Sequence, residues 1–144
     1  MHEETKAVSR RILEEVFNEG KLDAIDRWVA DACVFHAAAD PDLPAGPAGY
    51  RQAVRKYRDA FPDQRMTIED QIAEGDKVAT RWTMHGTHRG PLAGIPPTGK
   101  RVEASGINID RIVDGKIVEQ WSNWDVLGIM RQLGQMPPME EAAD

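Results

Sequence analysis

The stretch "RVEASGINIDRIVDGKIVEQWSNW", residues 101–124, predicts the centre of the fold. Its two parts, 101–113 and 116–124, both read as strands and are separated by Asp114-Gly115. An Asp-Gly pair between two strand patterns favours a two-residue hairpin turn. The sequence therefore predicts two long antiparallel strands joined by a tight turn.

Further strands are predicted before this hairpin. Apolar residues alternate with polar ones over 66–72 and again over 78–84, on either side of a Gly75-Asp76 turn. This period of two is typical of strands that bury one face. A short apolar run at 33–36 predicts one more strand.

Helices occupy much of the first half of the chain. Apolar residues at helical spacing predict one helix over 3–19 and a shorter one over 22–29. Pro47 can open a third helix, and Pro62 ends it. With a short last helix at 126–133, the predicted fold class is α+β, with three helices on one side of a curved antiparallel sheet.

The composition limits both the organisation and the partners of the protein. A chain of 144 residues, 41% hydrophobic and 29% charged, fits one globular domain. Residues 1–136 are expected to form this domain and 137–144 a loose tail. The net charge of -6 disfavours nucleic acid and anionic membranes. With no apolar span, no signal-peptide pattern and one cysteine, a cytoplasmic protein is expected.

The histidines do not suggest a metal site. His85 and His88 are three residues apart, and on a strand that spacing puts them on opposite faces. The motifs HExxH, CxxC and GxSxG do not occur. The glycines do not form a phosphate-binding loop before a helix. No metal, nucleotide or other cofactor is therefore expected.

Five segments together resemble one known family. They are "AFPD" (60–63), "EGDKVATRW" (74–82), "HGTHRGPLAGIPPTGK" (85–100), "DGKIVEQW" (114–121) and "QLG" (132–134). In this order and spacing they resemble the SnoaL-like polyketide cyclase, or ester cyclase, family of the nuclear-transport-factor-2-like superfamily. The resemblance covers nearly the whole chain.

This resemblance implies a cone-shaped α+β barrel. Helices and a strongly curved antiparallel sheet would enclose one deep, mostly apolar pocket. Characterised cyclases of the family close a ring by intramolecular aldol condensation without a cofactor. They use an aspartate as the acid–base group, with a histidine nearby. Relatives on the same fold isomerise steroids, open epoxides or dehydrate small substrates, so fold alone does not determine the reaction.

The hairpin sequence "DGKI" sets the register for carrying the family's site over to this chain. Aligned through it, the family's histidine corresponds to Asn108 and its catalytic aspartate to Ser122. Both acid–base groups are thus replaced. A serine hydroxyl does not take a proton from carbon near neutral pH without a partner base.

Strand alternation gives an independent view of the pocket wall. Gln120, Ser122 and Trp124 share one face of the last strand, and Asn108 and Asp110 share one face of its neighbour. If these faces meet the pocket, their amide, hydroxyl and indole groups can bind an oxygenated ligand. Asp110 is then the candidate base on this wall. Its alternative is a solvent-facing strand residue.

Five other polar residues are candidates for the site. Asp125 precedes the last helix and is either its N-cap or an acid–base group. His36 lies before a Pro-rich loop that could act as a lid. It is a candidate proton shuttle or ligand contact, and the alternative is a strand-end histidine. His88 either fixes its loop or contacts the ligand. Arg81 and His85 share a strand face, where they pair with nearby acids or bind an anionic substrate.

The sequence favours a small cofactor-independent enzyme that binds an apolar, oxygenated, polyketide-like or cyclic substrate. The expected chemistry is proton transfer, such as cyclisation or isomerisation. One alternative is a non-catalytic small-molecule-binding protein with the same pocket. Another is a hydrolase or hydratase in which Asp110 or Asp125 activates water. A homodimer or higher oligomer is expected, because Ile107, Ile109 and Trp121 could form an apolar outer face.

Overall fold

The computed structural model describes residues 2–135. The elements follow in the order α1 (His2–Ile12), a π-helical segment (Leu13–Asn18), α2 (Ala24–Trp28), β1 (Val29–Ala37), α3 (Gly46–Ala60), β2 (Arg65–Glu74), β3 (Lys77–Thr87), β4 (Arg101–Val113), β5 (Lys116–Trp124) and α4 (Val126–Gln132). The loose tail expected at 137–144 lies outside the described residues.

The strands form one open, mixed sheet in the order β1-β5-β4-β3-β2. From β2 to β5 each strand pairs antiparallel with the next, as predicted. The expectation of a wholly antiparallel sheet is wrong for β1, which pairs parallel with β5. The chain between these two strands supplies the long connection that parallel pairing needs. Because β1 and β2 are edges, the described sheet is not the closed barrel that the resemblance implied.

The predicted hairpin between β4 and β5 is confirmed. Asp114 and Gly115 have φ values of 51° and 76°, both in the left-handed region that a primed turn requires. Along β4, buried and exposed residues alternate from end to end. The strand therefore has one face toward the core and one outer face.

Helices cover the inner face of the sheet. α1 buries Val8, Ser9 and Ile12 and contacts strands from β2 to β5. α3 has a proline in its first turn and packs on β1, burying Tyr50 and Val54. The core lies between these helices and the sheet. No helix in residues 2–135 is long and apolar enough to cross a membrane.

Candidate functional site

An apolar cavity lies between α3, the β1–α3 loop and the inner face of the sheet. Aromatic and aliphatic side chains form most of its surface, and the polar groups come mainly from β4 and β5. The lining residues are Phe17, Phe35, Ala37, Ala39, Asp40, Leu43, Tyr50, Ala53, Tyr57, Gln64, Met66, Trp82, Met84, Asn108, Gln120, Ser122 and Trp124. Four of the five residues predicted for the wall from strand alternation are among them, and Asp110 is not. Their role in binding stays a prediction.

Asn108 and Ser122 form a hydrogen-bonded pair on this wall. They lie opposite each other in the β4–β5 register, and the hydroxyl of Ser122 donates to Oδ1 of Asn108 at 2.8 Å. This bond orients the amide of Asn108. Its Nδ2 makes no hydrogen bond within the described part of the chain, so it is a donor that a ligand can use.

Asp110 lies behind Gln120 and not on the cavity wall. Its side chain accepts a hydrogen bond from Gln120 Nε2 at Oδ1 and one from the Ser9 hydroxyl at Oδ2, both at 2.7 Å. Only 2% of Asp110 is exposed, so the solvent-facing alternative is also wrong. The reason is tertiary, because α1 brings Ser9 over this end of β4. With its Nε2 bound to Asp110, Gln120 keeps its Oε1 as an acceptor at the cavity.

The buried position of Asp110 changes its acidity. Burial raises the pKa of its carboxyl above the ordinary value, and the hydrogen bonds from Gln120 and Ser9 partly oppose this. A carboxyl that stays neutral more readily inside the protein makes stability depend on pH.

Replacing Asp110 by asparagine is expected to remove this pH dependence. The folded state holds the proton more tightly than the unfolded chain, which therefore ionises first as the pH rises. In wild type the free energy of unfolding should fall across that window, by about 1.4 kcal/mol for each tenfold difference in proton affinity. Asp110→Asn should lack this decline. Urea denaturation of both proteins between about pH 4 and pH 8 measures it.

Asp63 offers a control in which the pKa is lowered, so stability should change with pH in the opposite direction. The backbone N–H and the hydroxyl of Thr87 both donate to its carboxylate at 2.7 Å, and these bonds lower the pKa of Asp63. Its stabilising contribution is present above the ordinary pKa and is lost as the pH falls through the lowered one. Asp63→Asn should therefore flatten the acid side of the profile. If the free energy of unfolding depends on pH in the same way in Asp110→Asn and in wild type, the raised pKa of Asp110 is contradicted.

Asp40 is a cavity carboxylate that the sequence analysis missed. It lies in the β1–α3 loop and is the one carboxylate among the described lining residues. Lys56 and Tyr57 of α3 both donate to it, so they tie the loop to the helix. The sequence analysis considered this loop as a possible lid and named His36, just before it, as the candidate residue. The carboxylate of Asp40 within the loop was the available signal.

His36 and Asp125 do not line the cavity. His36 points to the outer side of β1, where its Nε2 lies 2.7 Å from Glu119 Oε2 and its ring stacks on Trp121. Strand alternation instead turns Phe35 toward the cavity. Asp125 is exposed and caps α4, accepting a hydrogen bond at 2.8 Å from the backbone N–H of Gly128.

The three remaining candidates also lie away from the cavity. Arg81 and His85 are exposed on the outer face of β3, and His85 lies 3.9 Å from Glu103 Oε2. His88 is fully buried in the loop after β3. Its Nδ1 accepts a hydrogen bond from the backbone N–H of Thr98 at 3.2 Å, which holds the two ends of that loop together.

Tyr50 and Trp82 were also missed as site residues, because their spacing reads equally well as core packing. Both are buried and line the cavity. Trp82 packs against Gly106 of β4, where an added Cβ would come within 2.2 Å of the indole ring. Trp82 and Gly106 pair across β3 and β4, which no predicted tight turn joins, so the sequence contained no signal for this contact.

The fold and the cavity define a small α+β protein with a mostly apolar cavity. Among the described residues, no three His, Cys, Asp or Glu side chains cluster as a metal site would require. The chain belongs to the SnoaL-like polyketide cyclase family, whose sequence profile matches residues 7–133.

Named relatives agree with this family. A nogalonic acid methyl ester cyclase from Streptomyces nogalater is 32% identical over 126 residues, covering 87% of this chain and 94% of the relative. An aklanonic acid methyl ester cyclase from Streptomyces peucetius is 34% identical over 134 residues, covering 91% and 92%. The solved structure of TsrD from Streptomyces laurentii superposes with a TM-score of 0.84 at 30% identity, covering 94% and 98%. The expectation of a polyketide-cyclase-like enzyme is confirmed at the level of the family.

Proposed function

We propose that this protein closes a ring in an apolar, oxygenated, polyketide-like substrate by cofactor-independent proton transfer. The observation that carries the proposal is a polar wall within an otherwise apolar cavity. Asn108 offers a donor there and Gln120 an acceptor, each fixed by a neighbouring side chain. We also infer that the sheet curves around the substrate, since all five strands contribute lining residues.

An aldol-type closure suits this set of groups. A base removes a proton next to one carbonyl, and the enolate carbon then attacks a second carbonyl in the same molecule. The resulting alkoxide takes up a proton, so no oxidant or reductant is consumed. Fixed donors such as Asn108 Nδ2 would stabilise the negative charge that develops on oxygen.

Asp40 is our candidate for the acid–base group. Its carboxylate lines the cavity, and Lys56 and Tyr57 hold its orientation. Asp110 then acts as a positioning residue, since it fixes the amide of Gln120 without reaching the cavity. This assignment departs from the sequence-based hypothesis, which gave the base role to Asp110, Asp125 or His36.

A binding protein without catalysis is the second candidate. The observation that favours it is the Asn108–Ser122 pair, because neither residue is an acid–base group. The hydrolase or hydratase alternative has less support, since Asp110 is covered and Asp125 caps a helix.

The test is turnover of the two methyl esters that the relatives' names specify, nogalonic acid methyl ester and aklanonic acid methyl ester. Chromatography with mass detection separates the three candidates. Ring closure leaves the mass of the substrate unchanged, whereas ester hydrolysis lowers it. Binding of both esters without turnover would support the binding protein and contradict the cyclase.

We expect the protein to form a homodimer or higher oligomer through the outer face of β4. Ile107 is 49% and Ile109 38% exposed there, beside half-buried Trp121. Burying such a patch is favourable. Light scattering should give a multiple of 16.1 kDa, and Ile107→Arg should shift the protein to the monomer.

A matched variant tests whether this patch is specific. Ile72→Arg changes an isoleucine that is 66% exposed on the edge strand β2, and it should leave the assembly intact. A wild-type monomer at micromolar concentration would contradict the proposal.

A further inference from the structure

Two buried hydrogen-bond donors at the cavity have no partner. The hydroxyl of Tyr50 and Nε1 of Trp82 make no hydrogen bond within residues 2–135, although the side chains are only 4% and 6% exposed. Both residues line the cavity. A buried donor without an acceptor is unfavourable and rare, so each such group calls for an explanation.

Three other polar side chains of the cavity donate to a neighbouring side chain. Ser122 donates to Asn108, Gln120 donates to Asp110, and the hydroxyl of Tyr57 donates to Asp40. Tyr50 and Trp82 lie in the same cavity and lack any such partner. Their hydrogen-bonding capacity is therefore unused within the described residues.

Both groups can donate a hydrogen bond at neutral pH. An indole N–H has no acceptor function. Burial, with smaller contributions from Asp110 and Cys33, raises the pKa of Tyr50 well above its ordinary value. Its phenol therefore keeps its proton at neutral pH. The oxygen of Tyr50 can also accept a hydrogen bond, whereas the indole N–H of Trp82 cannot, so the ligand group that matches both is an acceptor such as a carbonyl oxygen.

Packing holds both donors in place before any ligand arrives. The ring of Tyr50 lies between Phe17 and Phe35, with centroid distances of 5.8 Å and 6.0 Å. The ring of Trp82 lies against Gly106, where a side chain would collide with it. Preorganised donors bind an acceptor without the entropic cost of being ordered.

We propose that Tyr50 and Trp82 form a donor pair that binds a carbonyl oxygen on an apolar ring system. The ligand class is a cyclic aryl ketone or quinone. The aromatic side chains pack against the ligand ring, and the donor pair hydrogen-bonds to its carbonyl oxygen. This inference rests on the proposed function, in that the cavity has to be the ligand site. It goes further by naming the recognised group and the two residues that recognise it.

The test compares α-tetralone with tetralin, which has the same ring skeleton without the carbonyl. Calorimetric titration gives the ratio of the two affinities, and this ratio isolates the contribution of the oxygen from that of ring packing. Wild type should prefer α-tetralone. Tyr50→Phe and Trp82→Phe should each lower the ratio by about 3- to 10-fold, the usual loss of one neutral hydrogen bond.

The control is Met84→Leu, which keeps an apolar lining side chain of similar volume and should leave the ratio unchanged. Tyr50→Phe should fold at least as stably as wild type in urea, since it removes an unpartnered buried hydroxyl. An unchanged ratio in Tyr50→Phe and Trp82→Phe, with both probes still bound, would overturn the donor pair and leave the cavity as a ligand site. Failure of wild type to bind either probe would overturn it too, whatever the ester turnover assay gives for the proposed function.

Discussion

Asp40→Asn is expected to lower turnover by about 10²–10⁴-fold, the range typical of losing general acid–base catalysis. Asparagine has nearly the same shape and can still accept the hydrogen bond from Tyr57. It cannot accept a proton from a carbon acid. The substrate should still bind, because the apolar lining and the Asn108–Ser122 pair are unchanged. The measurement is kcat and KM for whichever methyl ester the wild-type protein cyclises.

Asp42→Asn is the matched control for Asp40→Asn. Asp42 lies in the same loop, is exposed and does not line the cavity, so its replacement should leave kcat unchanged. If Asp40 only anchors the loop to α3, Asp40→Asn should raise KM and leave kcat nearly intact. Full activity in Asp40→Asn together with a loss in Asp110→Asn would return the base role to Asp110.

The second large effect concerns stability at the start of α3. Gly46→Ala is expected to lower the free energy of unfolding by about 2–5 kcal/mol, combining left-handed strain with overpacking. Gly46 has φ +76°, and a Cβ at this position would stand 2.2 Å from the backbone oxygen of Asp31. Backbone atoms cannot move aside as easily as a side chain. Urea denaturation of the variant and wild type measures the difference.

Gly75→Ala separates the two causes of this loss. Gly75 also has positive φ, +60°, but no atom lies within 4 Å of the added Cβ. Its replacement should therefore cost only the left-handed strain, about 1–2 kcal/mol. Equal losses in the two variants would contradict a steric role for Asp31 and leave φ as the whole explanation.

Local patterns predicted most of the secondary structure. Alternation identified the strands of the meander, and Asp114-Gly115 identified its last turn, because both depend on residues close in sequence. The parallel partner of β1 could not be found in this way. Strand pairing across a long connection has no signal in the residues next to the strand. The short apolar run at 33–36 fits an edge strand that pairs in either direction.

The same distinction between local patterns and long-range contacts explains which site residues could be predicted. Strand alternation correctly grouped Gln120 and Ser122, because side-chain direction along a strand is local geometry. The position of Asp110 depends on Ser9, which is 101 residues away in sequence, so its burial could not be inferred. Tyr50 and Trp82 were hidden for another reason. An aromatic residue facing inward gives the same pattern whether it meets the core or a cavity.

The parallel pairing of β1 with β5 also has a consequence for folding kinetics. The meander from β2 to β5 is built from neighbouring strands, whereas the contact of His36 with Glu119 closes a loop of 83 residues. Closing long loops carries the larger entropic cost, and such contacts tend to form late. The cavity takes part of its wall from β1 and the loop after it, so it is completed near the end of folding. Contacts made after the transition state affect the unfolding rate most. We therefore expect a ligand in this cavity to slow unfolding while leaving the folding rate nearly unchanged.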